Sequence, residues 1–224
     1  TNGKTTTSML LFKALRELHQ SAGWIGTLGY YINDEHFETR HTTPDILQLN
    51  AILAQMAEKG VETVCMEVSS HALALDRVYG IDFDYCLFTN LSREHLDFHR
   101  SMDEYGATKL KLFDATLEGR ATGLISTDDS FGKHVHDELQ FKGARVHSVG
   151  RDHAEFMIQP GCSQGSWEQS SFTLRSAEAE VTIHSALIGR FNIANLALSA
   201  ATLLLMGYAP AQIEEGLNRV PPVR

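Results

Sequence analysis

The chain has 224 residues, of which 43% are hydrophobic, 21% charged and 8% aromatic, as in folded domains and unlike disordered segments. Its 19 basic and 28 acidic residues give a formal net charge of −9. This charge and the lack of any basic run argue against general binding to nucleic acid or to an anionic membrane. No apolar stretch reaches the roughly 20 residues that span a bilayer, and no leader-like segment is present, so we expect a cytoplasmic protein.

Hydrophobic periodicity predicts strands and helices that alternate along the first 150 residues or so. Helices are expected over 5–20, 44–59, 102–117 and 131–141, and strands over 24–32, 61–68, 84–90, 122–126 and 145–149. The strands over 61–68 and 84–90 are apolar enough to be buried on both faces. This alternation is typical of a parallel sheet with crossover helices.

The pattern changes after about residue 150. Extended segments between residues 154 and 188 predict a small antiparallel addition, and helices are expected over 192–206 and 209–218, with Gly207 as the stop between them. We therefore expect an α/β fold, a mostly parallel phosphate-loop sheet with flanking helices and a small antiparallel β addition. Cys65, Cys86 and Cys162 are widely spaced and form no C-x-x-C pair, which indicates reduced thiols rather than disulfides or zinc ligands.

The first residues form part of a known phosphate-binding pattern. Asn2-Gly3-Lys4-Thr5 directly before a helix matches the second half of a phosphate loop, in which backbone N–H groups cradle phosphate. Lys4 would then reach the outer phosphates and Thr5 would hold Mg²⁺. The upstream glycine and strand of the full pattern lie outside the 224 residues. The alternative is a glycine turn followed by a solvated lysine.

An acidic residue ends one of the apolar strands. Glu67 follows Val64-Cys65-Met66 at the point where open parallel sheets collect their ligands. A carboxylate beside a phosphate loop suits Mg²⁺, which prefers hard oxygen ligands. The alternative is that Glu67 caps a nearby helix.

Lys109 lies on the apolar face of its predicted helix. Tyr105, Leu112 and Phe113 stand at helical spacing from Lys109, whereas Lys111 faces water. A buried ammonium without a partner is costly. Lys109 therefore either is paired, or extends its head group to solvent, or carries a carbamate formed from CO₂. The residue pattern alone leaves these alternatives open.

The segment after the strand over 84–90 contains several possible metal ligands. His95, Asp97 and His99 lie within five residues of one another. The alternative is a solvated surface loop, because 11 histidines in 224 residues make chance clusters common.

The order of these motifs resembles the Mur ligases over essentially the whole chain. The matching segments are Asn2-Gly3-Lys4-Thr5-Thr6-Thr7, Thr42-Thr43-Pro44, Glu67-Val68-Ser69-Ser70-His71, Thr89-Asn90-Leu91-Ser92-Arg93-Glu94-His95-Leu96-Asp97, Tyr105-Gly106-Ala107-Thr108-Lys109 and Gly189-Arg190-Phe191-Asn192-Ile193-Ala194-Asn195. Glu-Val-Ser-Ser-His and the closing Val220-Pro221-Pro222-Val223-Arg224 are most similar to the branch that adds the third residue of the peptidoglycan stem peptide.

The resemblance implies a role for each matching residue. Asn2, Gly3, Lys4, Thr5 and Thr6 would bind the ATP phosphates, and Asn192 and Asn195 the adenine end. One Mg²⁺ would be held by Thr5 and Glu67, and a second by His95, Glu67 and Lys109 as a CO₂-derived carbamate. The UDP-muramoyl-dipeptide would be held by Thr42, Thr43, Ser69 and Arg77. Leu75 departs from the pattern, because some relatives have a substrate-contacting Gln there.

The resemblance also implies an activity. The substrate's D-glutamate carboxylate would attack the γ-phosphate of ATP, and the resulting acyl phosphate would react with the amino group of diaminopimelate or lysine. Residues 1–224 would form the central ATP-binding domain of a monomeric enzyme whose UDP-binding and C-terminal domains lie outside them. The alternatives are another Mur-type or folylpolyglutamate-type ligase, or a nucleotide-binding module without catalysis.

Overall fold

The computed structural model describes residues 2–39, 41–91, 101–161 and 170–221, and contains helices and strands as the sequence predicts. The helices are α1 (Lys4–Glu17), α2 (Ile46–Glu58), α3 (Ser70–Ala74), α4 (Met102–Leu110), α5 (Asp114–Leu117), α6 (Ser130–Phe141), α7 (Arg190–Leu205) and α8 (Pro210–Asn218). The strands are β1 (Ala22–Gly26), β2 (Gly29–Ile32), β3 (Glu35–Phe37), β4 (Thr63–Met66), β5 (Tyr85–Phe88), β6 (Thr122–Ser126), β7 (Val146–Gly150), β8 (Phe156–Pro160), β9 (Ser170–Arg175) and β10 (Glu180–Ser185).

The strands form two sheets. The larger has the order β10-β9-β8-β7-β6-β5, with parallel pairing from β5 to β8 and antiparallel pairing of β8, β9 and β10. The smaller has the order β3-β2-β1-β4, in which only β1 and β4 are parallel. The α/β fold with a mostly parallel sheet is confirmed. The predicted antiparallel addition continues the larger sheet at its far edge.

Four predicted elements differ from the structure. The single strand over 24–32 is wrong, because the chain turns at Thr27-Leu28 and forms the antiparallel pair β1–β2. The helix over 102–117 is interrupted by a 3₁₀ turn, Lys111–Phe113. The strands over 61–68 and 84–90 were expected to be buried on both faces, but all four residues of β4 and two of the four residues of β5 are only half-buried.

The exposure of β4 has a structural reason. In the described part of the chain, β4 pairs with β1 and β5 pairs with β6, and no ladder joins β4 to β5. A cleft of about 680 Å³ lies between these two strands. Its walls include Cys65 of β4, Cys86 of β5 and Leu11 of α1. We call it the β4–β5 cleft.

The main core lies between the sheets and a layer formed by α1, α7 and α8. Leu10 and Leu15 of α1, Leu198 of α7 and Leu217 of α8 have no exposed surface. Burying a leucine side chain contributes roughly 1.5–3 kcal/mol, so this layer holds α1 firmly in place. Among the described helices, none is long and apolar enough to cross a membrane.

Candidate active site

The phosphate loop, residues 2–6, ends in the first turn of α1. Gly3 has φ 90°, which favours glycine, and a Cβ there would lie 2.4 Å from Oδ1 of Asn195. Thr7 N–H donates to the Gly3 carbonyl at 2.7 Å. The backbone N–H groups of the preceding helical residues have no partner within the helix, so this end of α1 suits a phosphate. Lys4, Thr5 and Thr6 are half-buried beside it.

Glu67 is buried next to the phosphate loop. Its side chain is 2% exposed, and Thr5 Oγ1 donates to Glu67 Oε2 at 2.8 Å. Thr27 N–H donates to Oε1 at 2.8 Å, and Thr27 Oγ1 lies 3.3 Å from Oε2. Glu67 therefore faces the loop, and it is Ser69, not Glu67, that caps α3 by accepting a bond from Ala72 N–H.

The Glu67 environment fits a magnesium ion. The donors that reach its carboxylate in the described part of the chain are all neutral, so a buried negative charge remains for a cation to balance. The Thr5 hydroxyl has lone pairs as well as its proton and can serve as an oxygen ligand. Carboxylate and hydroxyl oxygens beside phosphates are the ligand set that Mg²⁺ prefers.

Asn90 joins the phosphate loop to Lys109. Its Nδ2 donates to the Asn2 carbonyl at 2.7 Å, and its own carbonyl accepts from Lys109 Nζ at 3.1 Å. The half-buried Lys109 amine also lies 5.5 Å from the ring centre of Phe88 and 5.0 Å from that of Tyr105. Lys109 is thus within the apolar stripe as predicted, with its head group paired, and Lys111 is exposed as predicted.

The predicted substrate-binding residues lie together beside Glu67. Thr43 is 1% exposed, and its hydroxyl donates to the Glu67 carbonyl at 2.9 Å and accepts from Ser69 N–H at 3.3 Å. Arg77 donates from a guanidinium nitrogen to the Thr43 carbonyl at 2.9 Å. Thr42 is half-buried, and its hydroxyl lies 3.1 Å from that of Thr27. Thr43 is buried, and its hydrogen bonds hold this segment in place. Thr42, Ser69 and Arg77 remain partly exposed and can contact a ligand.

The two asparagines at the start of α7 have different surroundings. Asn195 is 5% exposed and its Oδ1 accepts from Thr7 Oγ1 at 3.2 Å. Asn192 is half-buried and donates to the Ile188 carbonyl at 2.9 Å. The buried Asn195 therefore packs against Gly3 of the phosphate loop. Asn192 is less buried and is the more accessible of the two to a nucleotide.

Some predicted residues lie outside the described part of the chain. They are the candidate metal ligands His95, Asp97 and His99, all within 92–100, and the expected reduced thiol Cys162. Within the residues that are described, no three His, Cys, Asp or Glu side chains come together. Cys86 is 1% exposed and Cys65 is half-buried on the cleft wall; in both, loss of solvation raises the pKa of the thiol to about 12, so both are protonated at neutral pH.

Residues far apart in the sequence converge at the carboxyl ends of β4 and β5. Lys4, Glu67 and Lys109 all line the β4–β5 cleft, together with Thr89. The resemblance to Mur ligases assigned Lys4 to the ATP phosphates and Glu67 and Lys109 to Mg²⁺, and we take these three residues as catalytic. No role was predicted for Thr27, and Asn90 was named only as part of the matching segment that begins at Thr89. A glycine on each side of the Thr27-Leu28 turn is the one signal that could have revealed the hairpin.

Comparison with known proteins identifies the family. A family model described as the Mur ligase middle domain matches residues 1–203. The chain belongs to the Mur ligase family. Two relatives, both named UDP-N-acetylmuramoyl-L-alanyl-D-glutamate–2,6-diaminopimelate ligase, come from Xanthomonas campestris pv. campestris strain 8004 and Chromobacterium violaceum. They are 42% identical over 226 residues and 38% identical over 224 residues, respectively. Each alignment covers 100% of this chain and 45% of the relative.

Solved structures of Mur ligases have the same fold. A structure of a UDP-N-acetylmuramoyl-L-alanyl-D-glutamate–2,6-diaminopimelate ligase matches all of this chain and 45% of its own, with a TM-score of 0.88 and 27% identity. A folylpolyglutamate synthase from Thermotoga maritima matches with a TM-score of 0.68 and 14% identity, which shows a shared fold only. This Mur ligase chain spans less than half the length of the curated relatives it matches.

Proposed function

We propose that this chain is the central ATP-binding part of a MurE-type ligase of peptidoglycan precursor synthesis. The enzyme would join an amino acid to UDP-N-acetylmuramoyl-L-alanyl-D-glutamate with hydrolysis of ATP. The incoming amino acid would be 2,6-diaminopimelate, because the relatives named above are diaminopimelate ligases. Lysine is the alternative. The UDP-binding and C-terminal domains would lie in the part of the relatives' length that this chain does not span.

The observation that carries this proposal is the convergence of Lys4, Glu67 and Lys109 on one cleft. A module that only binds nucleotide needs Lys4 and Thr5, but it has no use for Lys109 at the same place. The Thr5–Glu67 and Asn90–Lys109 bonds bring both groups to the phosphate loop. A ligase needs this arrangement, since it brings a carboxylate to a phosphate and must offset the repulsion between two anions.

Each residue has a task in the proposed reaction. The N-terminal turn of α1 and Lys4 bind the outer phosphates of ATP, and Asn192 lies toward the adenine end. Ser69, Thr42 and Arg77 hold the UDP-muramoyl-dipeptide so that its D-glutamate carboxylate faces the γ-phosphate. Attack by this carboxylate gives an acyl phosphate and ADP. The amino group of the incoming amino acid then displaces phosphate and forms the amide.

Thr5 and Glu67 would hold one Mg²⁺, and His95, Glu67 and Lys109 as a carbamate would hold another. The ions would neutralise charge on the phosphates during transfer. The carbamate is proposed because the half-buried Lys109 amine lines the same cleft as the buried Glu67 and could become a second anionic ligand by reaction with CO₂. The Lys109 nitrogen donates to the Asn90 carbonyl, and its ammonium form would release two protons to solvent on becoming N–H–COO⁻.

The test uses the full-length protein. Incubation with ATP, Mg²⁺, UDP-muramoyl-dipeptide and either diaminopimelate or lysine should release phosphate only when all components are present. Mass spectrometry should show the dipeptide substrate extended by one diaminopimelate residue. Faster extension with lysine would show that lysine, and not diaminopimelate, is the incoming amino acid. Phosphate release that needs a folate and glutamate instead would overturn the proposal.

A further inference from the structure

The turn between β1 and β2 contacts Glu67 although no motif marks it. Thr27 N–H donates to Glu67 Oε1 at 2.8 Å, and Thr27 Oγ1 lies 3.3 Å from Oε2. Thr5 donates to that same Oε2 at 2.8 Å. Both oxygens of a carboxylate that is 2% exposed are thus held, and among the described donors only Thr27 N–H reaches Oε1.

Gly26 makes this close approach possible. A Cβ on Gly26 would lie 2.2 Å from Glu67 Oε1, well inside van der Waals contact. Gly26 is the last residue of β1, and Glu67 N–H donates to the carbonyl of Ile25 at 2.9 Å. The end of β1 is therefore pressed against Glu67, and the next residue along the chain supplies the donors.

The Thr27 hydroxyl has a second neighbour. It lies 3.1 Å from Thr42 Oγ1, on the segment that would hold the UDP-muramoyl-dipeptide. A hydroxyl has one proton, so it donates either to Glu67 or to Thr42 at any moment. The same side chain therefore connects the carboxylate beside the phosphate loop with a residue of the substrate segment.

We propose that Thr27 is a positioning residue for Glu67. Its N–H and O–H hold the carboxylate toward Thr5, where Mg²⁺ would bind, and its hydroxyl links that carboxylate to Thr42. Partners that orient a metal ligand typically change metal affinity by roughly 10- to 100-fold when they are removed. This inference rests on the proposed function, since it assigns Glu67 to the cation.

The experiment measures cation binding and not only turnover. In the full-length protein loaded with a non-hydrolysable ATP analogue, Mn²⁺ would be titrated and its free concentration followed by electron paramagnetic resonance. Thr27→Val keeps the backbone N–H and loses the hydroxyl, so we expect Mn²⁺ affinity to fall about tenfold. Thr27→Ser should restore it. The KM for the UDP-muramoyl-dipeptide should rise in Thr27→Val through the lost contact with Thr42.

Two further variants keep the result decisive. Thr27→Ala also removes the hydroxyl but puts no methyl group in its place, so it keeps the test decisive if Thr27→Val folds poorly, and we expect the same fall in Mn²⁺ affinity. Thr173→Val is the matched control, because Thr173 forms a similar hydroxyl pair with Thr182 at 3.3 Å, on β9 and β10 of the larger sheet. It should leave Mn²⁺ affinity unchanged.

The positioning role would be overturned by wild-type Mn²⁺ affinity in Thr27→Val and Thr27→Ala. It would also be overturned if Thr27→Ser lost as much affinity as Thr27→Val, since the hydroxyl would then be irrelevant. A wild-type protein that binds Mn²⁺ and ATP analogue but forms no extended peptide would contradict the proposed function instead. The cation titration would still decide the role of Thr27.

Discussion

The Lys109 amine donates to the backbone carbonyl of Asn90 at 3.1 Å, and the Asn90 side chain in turn bonds to the phosphate loop. A lysine on α4 is thereby connected to the nucleotide site through a residue at the end of β5. Its amine also faces the rings of Phe88 and Tyr105, which favour a cation at that position. The contacts with Asn90, Phe88 and Tyr105 thus fix the position of Lys109.

The first prediction concerns Lys109. In the full-length enzyme, Lys109→Ala should abolish turnover and leave ATP binding within a few-fold of wild type, because the phosphate loop keeps its own donors. Lys111→Ala, an exposed lysine in the same segment, is the control and should behave as wild type. Calorimetric titration with ATP and a phosphate-release assay measure the two quantities. Equal loss of binding and turnover would indicate a folding role.

The carbamate has its own measurement. Protein prepared with ¹³C-labelled bicarbonate should show a carbamate carbon resonance that disappears in Lys109→Ala. Small carboxylic acids added to Lys109→Ala should restore part of the turnover, since they can supply the missing carboxylate. A labelled signal that persists in Lys109→Ala would assign the carbamate to another amine.

The second prediction concerns Arg77. Arg77→Ala should raise the KM for the UDP-muramoyl-dipeptide by about tenfold or more, because a charge-assisted hydrogen bond contributes roughly 1.5–3 kcal/mol. The KM for ATP should change little. Arg175→Ala is the control, since Arg175 pairs with Glu180 on the exposed surface of β9 and β10. An increase confined to the KM for ATP would contradict the placement of Arg77 at the substrate.

The third prediction concerns alkaline stability. The pKa of Cys65 and Cys86 is raised from 9.0 to about 12 by burial, so the folded state keeps protons that the unfolded state loses above pH 9. The free energy of unfolding should therefore be unaffected by these thiols below pH 9 and fall between pH 9 and pH 12. The slope is at most about 1.4 kcal/mol per pH unit for each thiol.

Urea denaturation at pH 8, 9.5 and 11 measures this slope. The variant with both Cys65→Ala and Cys86→Ala should lose less stability between pH 9.5 and pH 11 than the wild type does. Burial also raises the pKa of Tyr85 and Tyr208, but those groups are present in both proteins and cancel in the comparison. Identical slopes in the two proteins would show that the thiols titrate normally.

The fourth prediction concerns residues 1–224 alone. Catalysis that orients three reactants depends on all of their binding surfaces, and correct orientation is worth roughly 7–11 kcal/mol. With the proposed UDP-binding and C-terminal domains missing, the isolated chain should bind ATP weakly and form no extended peptide. A coupled ADP assay with all substrates tests this, with the full-length protein as the positive control. Turnover close to that of the full-length protein would refute the domain assignment.

The sequence predicts most elements of the fold because their periodicity is strong. The strand over 122–126 agrees residue for residue, and α2, α6, α7 and α8 lie within two residues of their predicted bounds at each end. The hairpin at Thr27-Leu28 was missed because Trp24 to Ile32 is apolar enough to resemble one continuous strand. Two residues in a turn change the direction of a chain without changing its hydrophobic pattern.

The site was predictable only where a motif has a fixed spacing. Lys4, Thr5, Glu67 and Lys109 stand in such motifs. The structure brings Lys4, Glu67 and Lys109 to the β4–β5 cleft, and Thr5 bonds to Glu67. Thr27 acts through a backbone N–H and one hydroxyl, and threonine is common in turns for other reasons. Asn195 belongs to a matching motif. Its burial against Gly3, however, results from the packing of α7 on α1, which no local sequence pattern predicts.

The two sides of the candidate site belong to different sheets, which are separated by the β4–β5 cleft. Glu67 follows a strand of the smaller sheet and Asn90 follows a strand of the larger, so no shared hydrogen-bond register fixes the distance between them. Within the described chain, the phosphate loop touches both sides, through Thr5 and through Asn2. The phosphate loop is therefore a direct connection between the two halves of the site, and a change in its conformation would alter the spacing between Glu67 and Asn90.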